Sequence, residues 1–155
     1  LDRGYDTPVP GDPAGRSYGE VLLDPSPLYG PLVEALQEAS VDLHYAVHVT
    51  GHGWRKLMRA QAALSYVIDR VPRVPPIFEL IVRTAQLSAA EAYGTFNMGA
   101  GYALYVSEAT AERAIEVAAA AGRELQRIGS VEPGPRRVVL RQLGLEFAGE
   151  SLSIR

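Results

Sequence analysis

Two glycine-bearing stretches and three histidines are the parts of this chain best suited to chemistry. The first is Thr50-Gly51-His52-Gly53, followed at once by Arg55 and Lys56. Glycines between a strand and a helix start let backbone N–H groups point at an anion, and the helix dipole favours negative charge there. The same stretch also reads as an ordinary tight turn, and it matches no P-loop. The second is Thr95-Phe96-Asn97-Met98-Gly99-Ala100-Gly101, a polar amide set between apolar residues and followed by two glycines. Such a loop brings backbone and the Asn97 amide close to a ligand, or forms a buried bend in which Asn97 caps backbone groups. His44, His48 and His52 are spaced by four, which on a helix would make one metal-binding face. The segment reads as a strand instead. His44 and His48 then share a face but lie too far apart to chelate one ion, and His52 falls beyond the strand. With no carboxylate at suitable spacing, no metal site is expected. There is no Gly-x-Ser-x-Gly elbow, and the acidic residues fit solvated helix faces and caps better than acid–base pairs.

The elements that must position these residues alternate between strand and helix. Residues 1–19, rich in Pro and Gly, read as an irregular lead-in, and Val21-Leu22-Leu23 as a short apolar piece stopped by Asp24-Pro25. A helix is predicted from near Tyr29, with Pro31 in its first turn and Leu32, Ala35, Leu36 and Ala39 as its buried stripe. A strand over 41–50 ends at the glycine turn, a short helix over 54–60 follows, and 64–69 forms a second strand. Pro75 and Pro76 open a helix that buries Ile77, Leu80, Ile81 and Ala85. Ser88 and Glu91 make a capping box for another. Residues 102–106 read as a strand leading out of the second loop. Ser107 then caps a helix with Ala111, Ala114, Ile115, Ala118 and Ala119 on one face and Gly122 as its stop. Strands over 125–131 and 137–140 flank Glu132-Pro-Gly-Pro, and the tail over 145–155 adds an edge strand. Several connections are too short for parallel crossovers, so the expected fold is α/β (α+β), a mixed β-sheet flanked by helices.

Composition narrows the function classes. The chain has 155 residues, 47% of them apolar and 21% charged, which suits one globular domain. Its net charge of −3 gives no reason to expect nucleic acid or an anionic membrane as partner. Cysteine is absent, which excludes disulfides and thiolate chemistry. No run is long enough to span a membrane and no signal-peptide pattern opens the chain, so a cytoplasmic setting is expected. Of the 15 basic residues, 14 are Arg and only Lys56 is lysine. The chain opens on Leu1 rather than Met, and is read as either a fragment or a stand-alone domain.

Taken together, the pieces are more specific than any one of them. Glu91-Ala-Tyr-Gly-Thr-Phe-Asn-Met-Gly-Ala-Gly-Tyr-Ala-Leu-Tyr-Val106 resembles the Met-Tyr-Arg-Thr-Phe-Asn-Met-Gly-Ile-Gly segment of aminoimidazole ribonucleotide (AIR) synthetases, the phosphoribosylformylglycinamidine cyclo-ligases. Gly19-Glu-Val-Leu-Leu-Asp-Pro-Ser-Pro-Leu-Tyr29, Ala46-Val-His-Val-Thr-Gly-His-Gly53 and Pro75-Pro-Ile-Phe78 fall in that family's order, and Ile128-Gly-Ser-Val131 resembles its Ile-Gly-x-Val. The resemblance covers nearly the whole chain but only the family's C-terminal domain, here residues 20–155 after the lead-in.

What the resemblance implies is a half-site. Family members use ATP to activate the formyl oxygen of formylglycinamidine ribonucleotide, and an internal nitrogen then closes the imidazole ring in purine biosynthesis. ATP and Mg would belong to an N-terminal domain that this chain lacks, so no cofactor and no catalytic residue are expected here. The implied substrate or anion site comprises Thr50, Gly51, Gly53, Asn97, Gly99 and Gly101, with His48, His52 and Arg55 as secondary candidates. His52 stands where the family has a glycine, and would either donate to the anion or obstruct it. Residues 54–58 also leave the family's usual Asn-Leu-Pro-Arg continuation. The implied partners are a small phosphate-bearing substrate and either the missing domain or a second copy. The alternative is a diverged stand-alone module of the same superfamily that binds a ligand or partner without catalysis.

Overall fold

Ser17 opens the first helix through a reciprocal cap. In a computed structural model describing residues 1–152, its side chain accepts from the Glu20 amide while Glu20 reaches back to the Ser17 amide. The helix, α1 (Tyr18–Leu22), absorbs most of the apolar piece expected at 21–23. Its Ser-x-x-Glu signal is the same one that predicts the cap at Ser88. The lead-in before it is ordered by an isolated bridge between Pro8 and Ser17 and by a clasp around Arg16. That guanidinium donates to Asp12 at 2.9 Å and to Asp24 at 2.7 Å.

The clasp sets a pH dependence. Hydrogen bonds from the Arg16 side chain, then from its backbone, hold the Asp12 carboxyl down at about 2. A depressed carboxylate contributes its stabilisation above the ordinary value near 3.8, and loses it as pH falls toward 2. The expected result is that an NMR titration places the Asp12 midpoint at about 2, and that Arg16→Ala returns it toward the ordinary value. A midpoint unmoved by Arg16→Ala would show that the clasp does not form.

Helix α2 (Gly30–Glu38) carries Pro31 in its first turn and buries Leu32 and Leu36, as predicted. Strand β1 (Leu43–His48) follows, and then a six-residue 3-10 turn, Gly53–Met58, takes the place of the expected short α-helix. The central strand is β2 (Leu64–Ile68), buried from Ser65 to Ile68. Next come α3 (Pro76–Thr84), α4 (Ala89–Thr95) with the predicted Ser88–Glu91 capping box, and β3 (Tyr102–Val106). Helix α5 (Ala111–Ala120) is followed by β4 (Gly129–Pro133), β5 (Arg137–Leu140) and β6 (Leu145–Ala148). Of the tail strand predicted over 145–155, only Leu145–Ala148 forms β6; Gly149–Leu152 is a 3-10 turn, and positions 153–155 lie outside the described residues.

Several local expectations change. Ala85 caps the end of α3 and is exposed, because the chain turns away there, and Phe78 and Val82 pack on the core beside buried Leu80. Ala119 is exposed too, while Ala114 and Ala118 are buried against Leu32, Leu36 and Val41. Ser107 begins a 3-10 turn over Glu108–Thr110 and bonds the Thr110 hydroxyl, so it does not cap α5. Gly122 ends α5 as predicted, at φ +69°, with the Arg123 amide donating to Ala118 O at 2.8 Å. Helices α2 and α3 end in the same way on the non-glycine residues Ser40 (φ 57°) and Gln86 (φ 52°). Sequence signals for helix stops look for glycine there and pass over both.

The strands form two sheets, a β1–β3 antiparallel pair and a four-stranded mixed sheet in the order β4-β2-β5-β6. Strands β4 and β5 flank a Pro-Gly-Pro turn yet do not pair with each other. Strand β2 lies between them, antiparallel to β4 and parallel to β5, with Tyr66 opposite Val131 on one side and Val138 on the other. The strand expected from 125 starts only at Gly129. The larger core joins the two sheets around Trp54, Met58, Tyr66, Val138 and Leu140, all 3% exposed or less. Among the described residues no helix is long and apolar enough to cross a membrane.

Candidate functional site

The two glycine-bearing loops meet at one end of the β1–β3 pair. His48 and Tyr102 are the last paired residues, and beyond them the Val49 amide donates to Gly101 O at 3.0 Å. The indole Nε1 of Trp54 donates to Asn97 O at 2.8 Å, so the turn and the loop are also joined through a buried side chain. The six residues implied as a site, Thr50, Gly51, Gly53, Asn97, Gly99 and Gly101, therefore sit in adjoining segments although almost fifty positions separate them in sequence.

Three of the four glycines are packed under protein groups. A Cβ on Gly53 would lie 2.2 Å from Tyr93 O, and the residue holds φ +53°. On Gly99, at φ +100°, it would meet Arg73 O at 2.6 Å, and on Gly101 the Tyr29 hydroxyl at 2.2 Å. Only Gly51 has open space above it. The Gly53 amide donates to Thr50 O at 2.7 Å, so it is engaged in the turn itself. The expected convergence of turn amides on an anion thus loses that donor. The element that follows is a single 3-10 stretch rather than an α-helix.

Side chains supply what the glycines do not. The Lys56 ammonium donates to the Thr50 hydroxyl, which puts the chain's single lysine at the mouth of the turn. Lys56 lies outside the set of implied site residues, although its singularity among 14 arginines marks it in the sequence. Arg55 is turned inward, donating to Gly94 O at 2.5 Å, Ser151 O at 3.0 Å and His52 O at 3.3 Å. It ties the turn to α4 and the C-terminal segment. His52 holds φ −111°, a region open to any residue, so the side chain in place of the family's glycine carries no backbone strain. Asn97 Oδ1 accepts from the Gly99 amide at 3.0 Å, bending the loop, and Met98 is buried in the left-handed region at φ 47°.

An aromatic group flanks this end of the sheet. The Tyr29 ring stacks on Tyr102 at 4.5 Å, and His48 meets Tyr29 edge-on at 5.5 Å. Burial pushes the Tyr29 hydroxyl above its ordinary range. His44, at the far end of β1, bonds Asp42 at 3.0 Å. No group of three or more metal-ligating side chains occurs among the described residues.

The model of the family described as "AIR synthase related protein, C-terminal domain" matches residues 4–141. The chain belongs to that family. This AIR synthase related C-terminal domain is similar to phosphoribosylformylglycinamidine cyclo-ligases from several organisms. It is 34% identical to the Methanocaldococcus jannaschii enzyme over 118 residues, 76% of this chain and 34% of the relative. Identity to the Fusobacterium nucleatum enzyme is 37% over 128 residues, 79% of this chain and 37% of the relative. For the Methanococcus vannielii enzyme it is 36% over 104 residues, 66% of this chain and 29% of the relative. The chain spans about a third of the length of the curated relatives it matches. The family match reaches back to residue 4 and so takes in most of the lead-in.

Proposed function

We propose that this domain supplies part of the substrate cleft of a phosphoribosylformylglycinamidine cyclo-ligase, holding the phosphate-bearing end of formylglycinamidine ribonucleotide. The supporting observation is that the turn at 50–53 and the loop at 97–101 lie side by side, with the Lys56 ammonium on the Thr50 hydroxyl at their mouth. A hydroxyl and an ammonium within contact of each other are a compact donor set for a phosphate oxygen, and open Gly51 leaves room for it to approach. Asn97, Gly99 and Gly101 border the same cleft, with His48 and His52 at its rim. ATP and Mg are assigned to the rest of the longer enzyme. The described residues of this chain offer no acidic cluster for Mg, and its sequence offers no glycine-rich phosphate loop of the P-loop type. In this reading activation of the formyl oxygen belongs to that other part, and this domain holds and orients the substrate. The exposed Leu23 and Leu28 beside α1 support packing of that face on the rest of a longer enzyme or on a second copy.

A second reading is a non-catalytic binding module. It is favoured by Arg55, whose guanidinium is spent on three backbone carbonyls rather than held ready for a ligand. NMR titration of the chain with ribose 5-phosphate, inorganic phosphate and MgATP tests the cleft. The expected result is that ribose 5-phosphate shifts the amides of the 50–53 turn and the 97–101 loop together, while MgATP produces no nucleotide-specific shifts. Lys56→Ala should weaken phosphate binding roughly tenfold, the loss of one charge-assisted hydrogen bond. Shifts confined to another surface, or affinity unchanged in Lys56→Ala, would refute the cleft.

A further inference from the structure

The open face at the end of the β1–β3 pair reaches beyond Thr50 and Lys56. Val47 and Val49 are buried while His48 and Thr50 are exposed, so the last two share one face of the strand, about 7 Å apart. Further along the same face, Leu32 and Leu36 of α2 pack in one cluster with Leu104 and Val106 of β3. Tyr29, at the start of α2, is thereby laid over the end of the pair. Its ring stacks on Tyr102 at 4.5 Å and meets the His48 ring at 5.5 Å. Its hydroxyl extends to Gly101, where any Cβ would run into it.

Packing does not account for that hydroxyl. A phenylalanine would stack on Tyr102 as well and would leave position 101 unconstrained. Among the described residues nothing bonds the Tyr29 oxygen, and the one enclosed side-chain atom without a partner is Thr7 Oγ1. The Tyr29 hydroxyl is therefore open to solvent. Partial burial pushes its pKa up, which keeps the proton in place and the group a donor at neutral pH.

We propose that the Tyr29 hydroxyl is the sugar contact of the cleft, donating to a ribose hydroxyl of a ligand whose phosphate sits at Thr50 and Lys56. The proposal rests on the substrate-cleft reading and deepens it by separating a sugar subsite from a phosphate subsite. An aromatic wall with one polar tip suits a sugar, whose ring offers an apolar face and whose hydroxyls need partners at its edge. The spacing agrees with this. Two strand positions separate Thr50 from His48, against which the Tyr29 ring rests, and a 5-phosphate with its ribose ring spans about that distance. Gly101 then has a definite part: it makes room for the Tyr29 hydroxyl, which no larger residue there would allow. In the sequence Tyr29 reads only as the start of a helix, because its place beside the loops depends on how α2 packs.

Tyr29→Phe tests this, since it keeps the stacked ring and removes only the oxygen. Dissociation constants for ribose 5-phosphate and for inorganic phosphate are measured by NMR on the parent, on Tyr29→Phe and on Lys56→Ala. The expected result is that Tyr29→Phe weakens ribose 5-phosphate roughly five- to tenfold, the loss of one hydrogen bond, and leaves inorganic phosphate unchanged. Lys56→Ala should weaken both. A second measurement needs no variant: in isotope-labelled parent protein the Tyr29 ring signals should shift with ribose 5-phosphate and stay in place with inorganic phosphate. Ribose 5-phosphate affinity that survives in Tyr29→Phe but falls in Lys56→Ala overturns the sugar contact and leaves the phosphate site standing. An equal loss of both ligands in Tyr29→Phe overturns it too, because the ring would then act only by shaping the loops. If the parent binds neither ligand at these loops, the proposal falls together with the cleft itself.

Discussion

Gly53→Ala should destabilise the domain by roughly 3 kcal/mol or more, whereas Gly51→Ala should be close to neutral. The two residues are separated by one position and share a turn, so local composition does not distinguish them. The difference is in what lies above each. A methyl group on Gly53 would sit 2.2 Å from Tyr93 O and 2.8 Å from Gly94 C and Thr95 N, all of them backbone atoms that no rotamer change can move aside. The left-handed φ of +53° adds strain for any L side chain. Gly51 has nothing within 4 Å and no positive φ. At about 2–4 °C per kcal/mol for a domain of this size, thermal unfolding should resolve the pair easily. Equal Tm values would mean that the turn does not lie against the end of α4. Gly51→Ala then becomes a useful probe of ligand approach, since any loss of phosphate binding in a variant of unchanged stability reports the open side of the turn.

The second large effect is expected at Trp54. Its side chain is 1% exposed, packs edge-on against Tyr93 at 5.4 Å, and donates to Asn97 O. It is therefore both a core side chain and the link between the two candidate loops. Trp54→Ala should cost about 3–5 kcal/mol, the usual range for emptying a large aromatic site. Trp54→Phe keeps most of the ring and removes the donor. Asn97 O retains the Ala100 amide at 2.9 Å, so this change should cost about 1–2 kcal/mol. It should also loosen residues 97–101, read as faster amide exchange there. Denaturant titration with near-ultraviolet circular dichroism measures both variants. A Trp54→Ala protein as stable as the parent would remove the tryptophan from the core, and with it the physical connection between the loops.

Which parts are legible from sequence follows from the range of the interactions involved. The capping box at Ser88, the Gly122 stop, the strand at 102–106, the strand expected over 41–50 and formed at 43–48, and the motifs around Thr50 and Asn97 all depend on residues within a few positions of one another. Local propensity and spacing carry that information directly. The ordered motifs also place the chain in its family, as the match over residues 4–141 bears out. What local pattern does not encode is which surface covers a residue. Ala85 and Ala119 fit the apolar spacing of their helices but face solvent, because burial depends on what packs opposite. Strands β4 and β5 lie on either side of β2, with the Ser65 hydroxyl donating to Pro135 O at the turn between them, a pairing that joins residues seventy positions apart. The pairing of the 50–53 turn with the 97–101 loop is expected from resemblance, but its means are tertiary: one amide at Val49, one indole at Trp54 and the backbone at Tyr93. So the sequence by itself determined the secondary-structure frame, the family and the two loops. Only the three-dimensional packing decided that Gly53 and Gly99 serve close backbone approach, that Arg55 is an anchor, and that Lys56 stands at the mouth, since each depends on neighbours that the fold, not the local pattern, brings against it.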